Sequence, residues 1–146
     1  MKVLEIILVL VSLLSGGCSS NTSKNIVATV LISPSQGQEI TLFEIYDDKS
    51  MWIKVAEVEE NIKLSAKDKE TIEELLLKIS AKDEDQIKSY FNDVIEVTAK
   101  INGKIYWTPF YDGVYANKDL LDLTYKLIEL SPIDVGGEQN PITVPK

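Results

Sequence analysis

The chain has 146 residues, a formal net charge of −8 and 45% hydrophobic residues, which suits one domain with a substantial core. It contains no His and no Arg, so the commonest general base, the commonest transition-metal ligand and the bidentate fork for phosphate and carboxylate are all missing. The acidity argues against nucleic acid and against an anionic membrane surface as partners.

Met1-Lys2 precede an apolar run, Ile6 to Leu14, that is nine residues long. This is far short of the ~20 residues that span a bilayer, and it reads as the h-region of a signal peptide. The run ends in Leu14-Ser15-Gly16-Gly17-Cys18, where small residues lead into the only cysteine. That junction resembles the lipobox of bacterial lipoprotein precursors. It departs from the family pattern at Ser15, where an aliphatic residue is usual, since Leu14 lies one position further upstream; Glu5 also weakens the positive n-region.

The resemblance covers about the first twenty residues and specifies a processing class, not an activity. It implies cleavage before Cys18, a diacylglyceryl (palmitate-type) lipid on the Cys18 thiol, and a location on the extracytoplasmic face of a bacterial cell membrane. A secreted form cut nearby and an uncleaved anchor are the alternatives, and both also place the domain outside the cytoplasm. The expected organisation is a signal peptide over 1–17, the lipidated cysteine and a polar tether over 18–25, a single α+β domain over 26–132 and an extended tail over 133–146. With Cys18 carrying lipid, the folded part has no thiol, which excludes disulfides, thiolate metal sites and cysteine catalysis.

Ile26 to Ile32 is a near-continuous apolar, β-branched run, the pattern of a strand buried on both faces. A turn at Ser33-Pro-Ser-Gln-Gly37 follows. Strands over Glu39–Tyr46 and Met51–Val58 flank Asp47-Asp48-Lys49-Ser50, whose residue types suit a hairpin loop. Ser65-Ala-Lys-Asp68 matches a capping box, and Ile72, Leu75, Leu76 and Ile79 then recur with helical spacing. The acidic and basic runs over 57–74 are the wet face of this helix and its approach. Lys82 to Asn92 is either a short second helix or a loop.

Ile95, Val97, Ala99 and Ile101 alternate with polar residues up to Asn102-Gly103, a strong hairpin signal, with Lys104 to Thr108 as the return strand. Asn117 caps a last helix with Leu120, Leu123, Leu127 and Leu130 on one stripe, which Ser131-Pro132 stops. The turn-rich remainder is expected to be mobile or draped on the surface. The fold class is therefore α+β, a mainly antiparallel sheet with two main helices packed on one face. A duplicated ββα unit is one reading, from Trp52 and Trp107 at the two hairpins and a common offset of 51 between the two helical stripes.

The segment Tyr106 to Tyr115 holds five of the eleven aromatic residues. If Asn102-Gly103 is a two-residue turn, Ile105 and Trp107 share the face of Glu96, Thr98 and Lys100, the solvent side; a longer loop sends them to the core. The functional reading is a partly exposed aromatic surface for a protein partner or a sugar, made by Trp107, Phe110, Tyr111 and Tyr115 with Asp112 as a polar contact. The alternative is that these rings fill the core and a loop. Asp47-Asp48 and Asp83-Glu84-Asp85 lack calcium-loop spacing, since counting from Asp83 puts Lys88 at position 6 and Val94 at position 12. No serine-nucleophile motif, P-loop or dinucleotide fingerprint occurs, and no cofactor, metal or nucleotide is expected.

The resulting expectation is a membrane-anchored, non-enzymatic domain that binds a protein or cell-envelope component close to the membrane. An immunity, inhibitor or exclusion lipoprotein that blocks an incoming molecule is the alternative. An enzyme built only on Asp, Glu, Lys and Tyr is the third.

Overall fold

Alternation of apolar and polar side chains builds a six-stranded sheet, and two amphipathic helices cover one of its faces. In the computed structural model, which describes residues 24–33, 39–83, 95–110 and 117–135, the strands are β1 (Ile26–Ser33), β2 (Thr41–Tyr46), β3 (Ser50–Val55), β4 (Val58–Lys63), β5 (Glu96–Ile101) and β6 (Lys104–Pro109). Helix α1 (Ala66–Ser80) follows β4, and helix α2 (Lys118–Leu130) follows β6. The sheet order is β4-β3-β2-β1-β5-β6, and every neighbouring pair is antiparallel. This is the α+β architecture that the residue pattern predicts.

The covered face carries Ala28, Val30 and Ile32 of β1, Phe43 and Ile45 of β2, Met51 and Ile53 of β3, and Val97, Ala99 and Ile101 of β5. Ile72, Leu76 and Ile79 of α1 and Leu120, Leu123 and Leu127 of α2 close over them. Helix entry follows the expected caps: Ser65 accepts a hydrogen bond from the Asp68 N–H, and the Asn117 side chain accepts one from the Leu120 N–H. Ion pairs tie the two antiparallel helices at both ends, Lys126 to Asp68 at 2.9 Å and Lys82 to Asp119.

Three local expectations are corrected. β1 is not buried on both faces: Ala28, Val30 and Ile32 are buried, while Thr29, Leu31 and Ser33 are half-buried on the face away from α1 and α2. The chain does not run straight through Val58, because it reverses at Ala56-Glu57 and forms β4 where the approach to α1 is expected. That turn places Ala56 at a φ of 52°, a conformation for which alanine is no signal. Packing also continues past Pro132, since Ile133 joins the core margin and Val135 is 2% exposed.

Trp52 and Trp107 each lie in the second strand of a hairpin, β2–β3 and β5–β6, but β4 stands between β3 and α1, so the first half does not repeat the ββα order of the second. Of the segment expected as a short helix or loop, residues 84–92 lie outside the described residues, as do the signal peptide, Cys18 and the last eleven residues.

The register gives the sheet two distinct ends. At the near end, where the chain enters β1, lie the turns 47–49 and 102–103, the end of β4 and the start of α1. At the far end lie Ser33, the Ala56-Glu57 turn, Glu96, Pro109 and the start of α2, whose Asn117 N–H donates to Thr108 Oγ1 at 3.3 Å.

Candidate functional site

Asn102 and Gly103 have φ values of 51° and 81° and close β5 and β6 as a two-residue turn. Ile101 pairs with Lys104, Lys100 with Ile105 and Thr98 with Trp107, so Ile105 and Trp107 do occupy the face away from the helices. Ile105 is 38% exposed there, but Trp107 is only 3% exposed. The expectation that Trp107 offers an exposed ring is therefore corrected. From Tyr106 to Pro109 successive residues on both faces are buried, although β6 is an edge strand, so position on the face away from α1 and α2 does not bring exposure.

Phe110 is turned elsewhere. Its N–H donates to the Ile95 carbonyl at 2.7 Å, which extends the β5–β6 ladder by one residue. Its half-buried ring meets Tyr125 of α2 at 5.2 Å between centroids and 56° between planes, a tilted aromatic pair. Trp107 and Phe110 thus do not form one patch. Tyr111, Asp112 and Tyr115 lie outside the described residues. The segment carrying them leaves from Phe110 and returns at Asn117, and both of these sit at the far end.

The near end holds an arrangement that reading the sequence missed. Asp47 receives the Asn25 N–H at 3.2 Å and the Asn25 Nδ2 at 2.9 Å, while the Asp47 N–H donates to the Asn25 carbonyl at 3.0 Å. Lys24 Nζ pairs with Asp48 at 3.0 Å, donates to Ser50 Oγ at 3.3 Å and lies 5.8 Å from the centre of the Tyr46 ring. The last two residues of the expected tether are thus fastened to the β2–β3 turn. The signal was present in the residue types, since Asp and Asn at a turn readily bond backbone N–H groups. What no local pattern shows is that residues 22 positions apart meet.

The electrostatics of this end follow from those contacts. Hydrogen bonds from Ser50, and then from Lys24, hold the Asp48 carboxyl below its ordinary value. The Tyr46 hydroxyl donates to Glu44, and that bond, with partial burial, pushes its pKa up to about 12. Asp68 is lowered by its hydrogen bond from Ser65 and then by Lys126. These are acids and bases tied to structural partners. Among the described residues no group of three or more His, Cys, Asp or Glu is placed to hold a metal, and no helix is long and apolar enough to cross a membrane.

No protein-family model, curated protein or solved structure matches this chain.

Proposed function

We propose that this chain is a membrane-anchored, extracytoplasmic binding domain, held to a bacterial membrane by lipid on Cys18 and acting through contact rather than catalysis. The carrying observation is the Leu14-to-Cys18 junction together with the fastening of Lys24 and Asn25 to the β2–β3 turn. A domain pinned at residues 24–25 has only six peptide steps back to Cys18, a reach of about 21 Å at most. An anchor there holds the near end at the membrane and presents the far end to a protein or cell-envelope partner. The missing His, Arg and folded-domain Cys support binding over chemistry.

The partner-facing region is assigned to the far end, where the segment with Tyr111, Asp112 and Tyr115 departs and returns, with Phe110 as its root. Changing Cys18 to Ala tests the anchor: the protein should move from the membrane fraction to the medium. Persistence in the membrane fraction would refute lipid anchoring and favour a retained apolar run.

A further inference from the structure

Among the described residues β4 pairs with β3 alone, and five of its six residues are exposed. The opposite edge is blunted: β6 ends in Pro109, which has no N–H to offer, and Tyr106 to Pro109 are buried. β4 has neither proline nor glycine, and its register with β3 runs without a shift. α2 lies over β5 and β6, while Val58 and Glu60 on the helix side of β4 are exposed, so no described element overhangs the strand.

The Ala56-Glu57 turn makes Val55 and Val58 a hydrogen-bonded pair, and beyond the other end of the ladder the Leu64 N–H donates to the Lys49 carbonyl at 2.8 Å. By alternation Val58, Glu60 and Ile62 bond to β3, and the N–H and C=O groups of Glu59, Asn61 and Lys63 point outward. Glu59 and Lys63 are exposed on one face of the sheet, across β3 from Lys54 and Ser50, and neither forms an ion pair among the described residues.

We propose that β4 joins two copies of this chain, antiparallel and about a two-fold axis at Asn61, into one continuous sheet. The outward groups of Glu59, Asn61 and Lys63 then meet those of the partner's Lys63, Asn61 and Glu59, and each Glu59 carboxylate faces a Lys63 ammonium on both sides of the axis. Charge selects this register. An axis at Glu59, Glu60 or Lys63 sets that residue against its own copy, a like-charge pair directly opposite. An axis at Ile62 leaves Glu59 and Lys63 without each other. With the axis at Asn61, Glu57 falls opposite Ser65 and Glu60 opposite Ile62, and the two Glu60 carboxylates are only diagonal neighbours, roughly 7–8 Å apart.

The pairing goes beyond the anchoring reading and does not depend on it. The near ends of the two copies point in opposite directions along the strands. A pair with both copies in one bilayer therefore lies with its strands along the surface, and the upright placing belongs to a single copy.

Sedimentation of the full chain in detergent, over a concentration series, should show a monomer–dimer equilibrium. Glu59→Lys alone and Lys63→Glu alone each put like charges at both pairs and should weaken the dimer about tenfold. An equimolar mixture of the two variants, or the double change in one chain, restores opposite charges and should restore the dimer. Rescue by mixing also excludes misfolding as the cause of the loss. Asn61→Cys with Cys18→Ala should close a disulfide between copies under mild oxidation, because residues opposite in a hydrogen-bonded pair sit about 5.5 Å apart; Val58→Cys in the same background should not. A monomer up to ~1 mM protein, a dimer indifferent to the charge changes, or cross-linking at Val58 rather than Asn61 overturns the proposal. Adducts of Asn61→Cys with another protein from the cell, without a dimer, would give the edge to a foreign strand and overturn it equally.

Discussion

Trp107 shows how one residue can satisfy a register argument and still overturn the reading built on it. Its pairing with Thr98 follows from the two-residue turn at Asn102-Gly103, so its side of the sheet was legible in the residues. Its 3% exposure was not, because burial depends on what lies over a ring, and no local pattern carries that. The consequence is a stability prediction. Changing Trp107 to Ala should cost about 3 kcal/mol or more, as large-to-small changes at buried aromatics do, read as a lowered urea midpoint. A loss within ~0.5 kcal/mol, the range for surface changes, would restore the view that the ring is free for a partner. Asp47 is the opposite case, an acid whose turn-forming type was evident and whose partner, Asn25, was not.

Among the elements, α1, α2 and the β5–β6 hairpin were legible because caps, apolar spacing and Asn-Gly act over a few residues. β4 was not. Its residues are nearly all exposed, so alternation is weak, and its turn uses Ala56 at a positive φ where glycine is the usual choice. Replacing Ala56 with Gly should therefore raise stability by about 0.5–1 kcal/mol, the strain of the left-handed conformation relieved less the added chain entropy. A lower thermal midpoint in the variant would show that the turn carries no such strain.

The clamp between the helices gives a pH dependence. Asp68 is held below its ordinary 3.8 by Ser65 and Lys126, so its contribution is present above that value and is lost as pH falls through the lowered one. Lys126 is raised above 10.5 by Asp68, so its share is present below 10.5 and is lost as pH rises through the raised value. The stability difference between the wild type and Asp68→Asn should thus be flat at neutral pH and shrink only in acid below the ordinary carboxylate range. A difference that changed between pH 6 and 8 would exclude the pair as its source, since neither group titrates there.

For the whole molecule, the decisive feature is polarity from end to end. One end receives the chain at Lys24 and Asn25 and turns through 47–49 and 102–103; the other receives the start of α2 and bears Glu57, Glu59, Glu60 and Asp83, all exposed. The sequence by itself determined the absence of His and Arg, the α+β class and the caps of both helices. All of these depend on composition or on contacts within a few residues. Only the tertiary structure decided that Trp107 is enclosed, that Phe110 faces Tyr125, and that Lys24 and Asn25 are fastened to the β2–β3 turn. Those outcomes depend on strand order and on residues far apart in the chain, and pairwise distance in the fold is a property that local spacing does not encode.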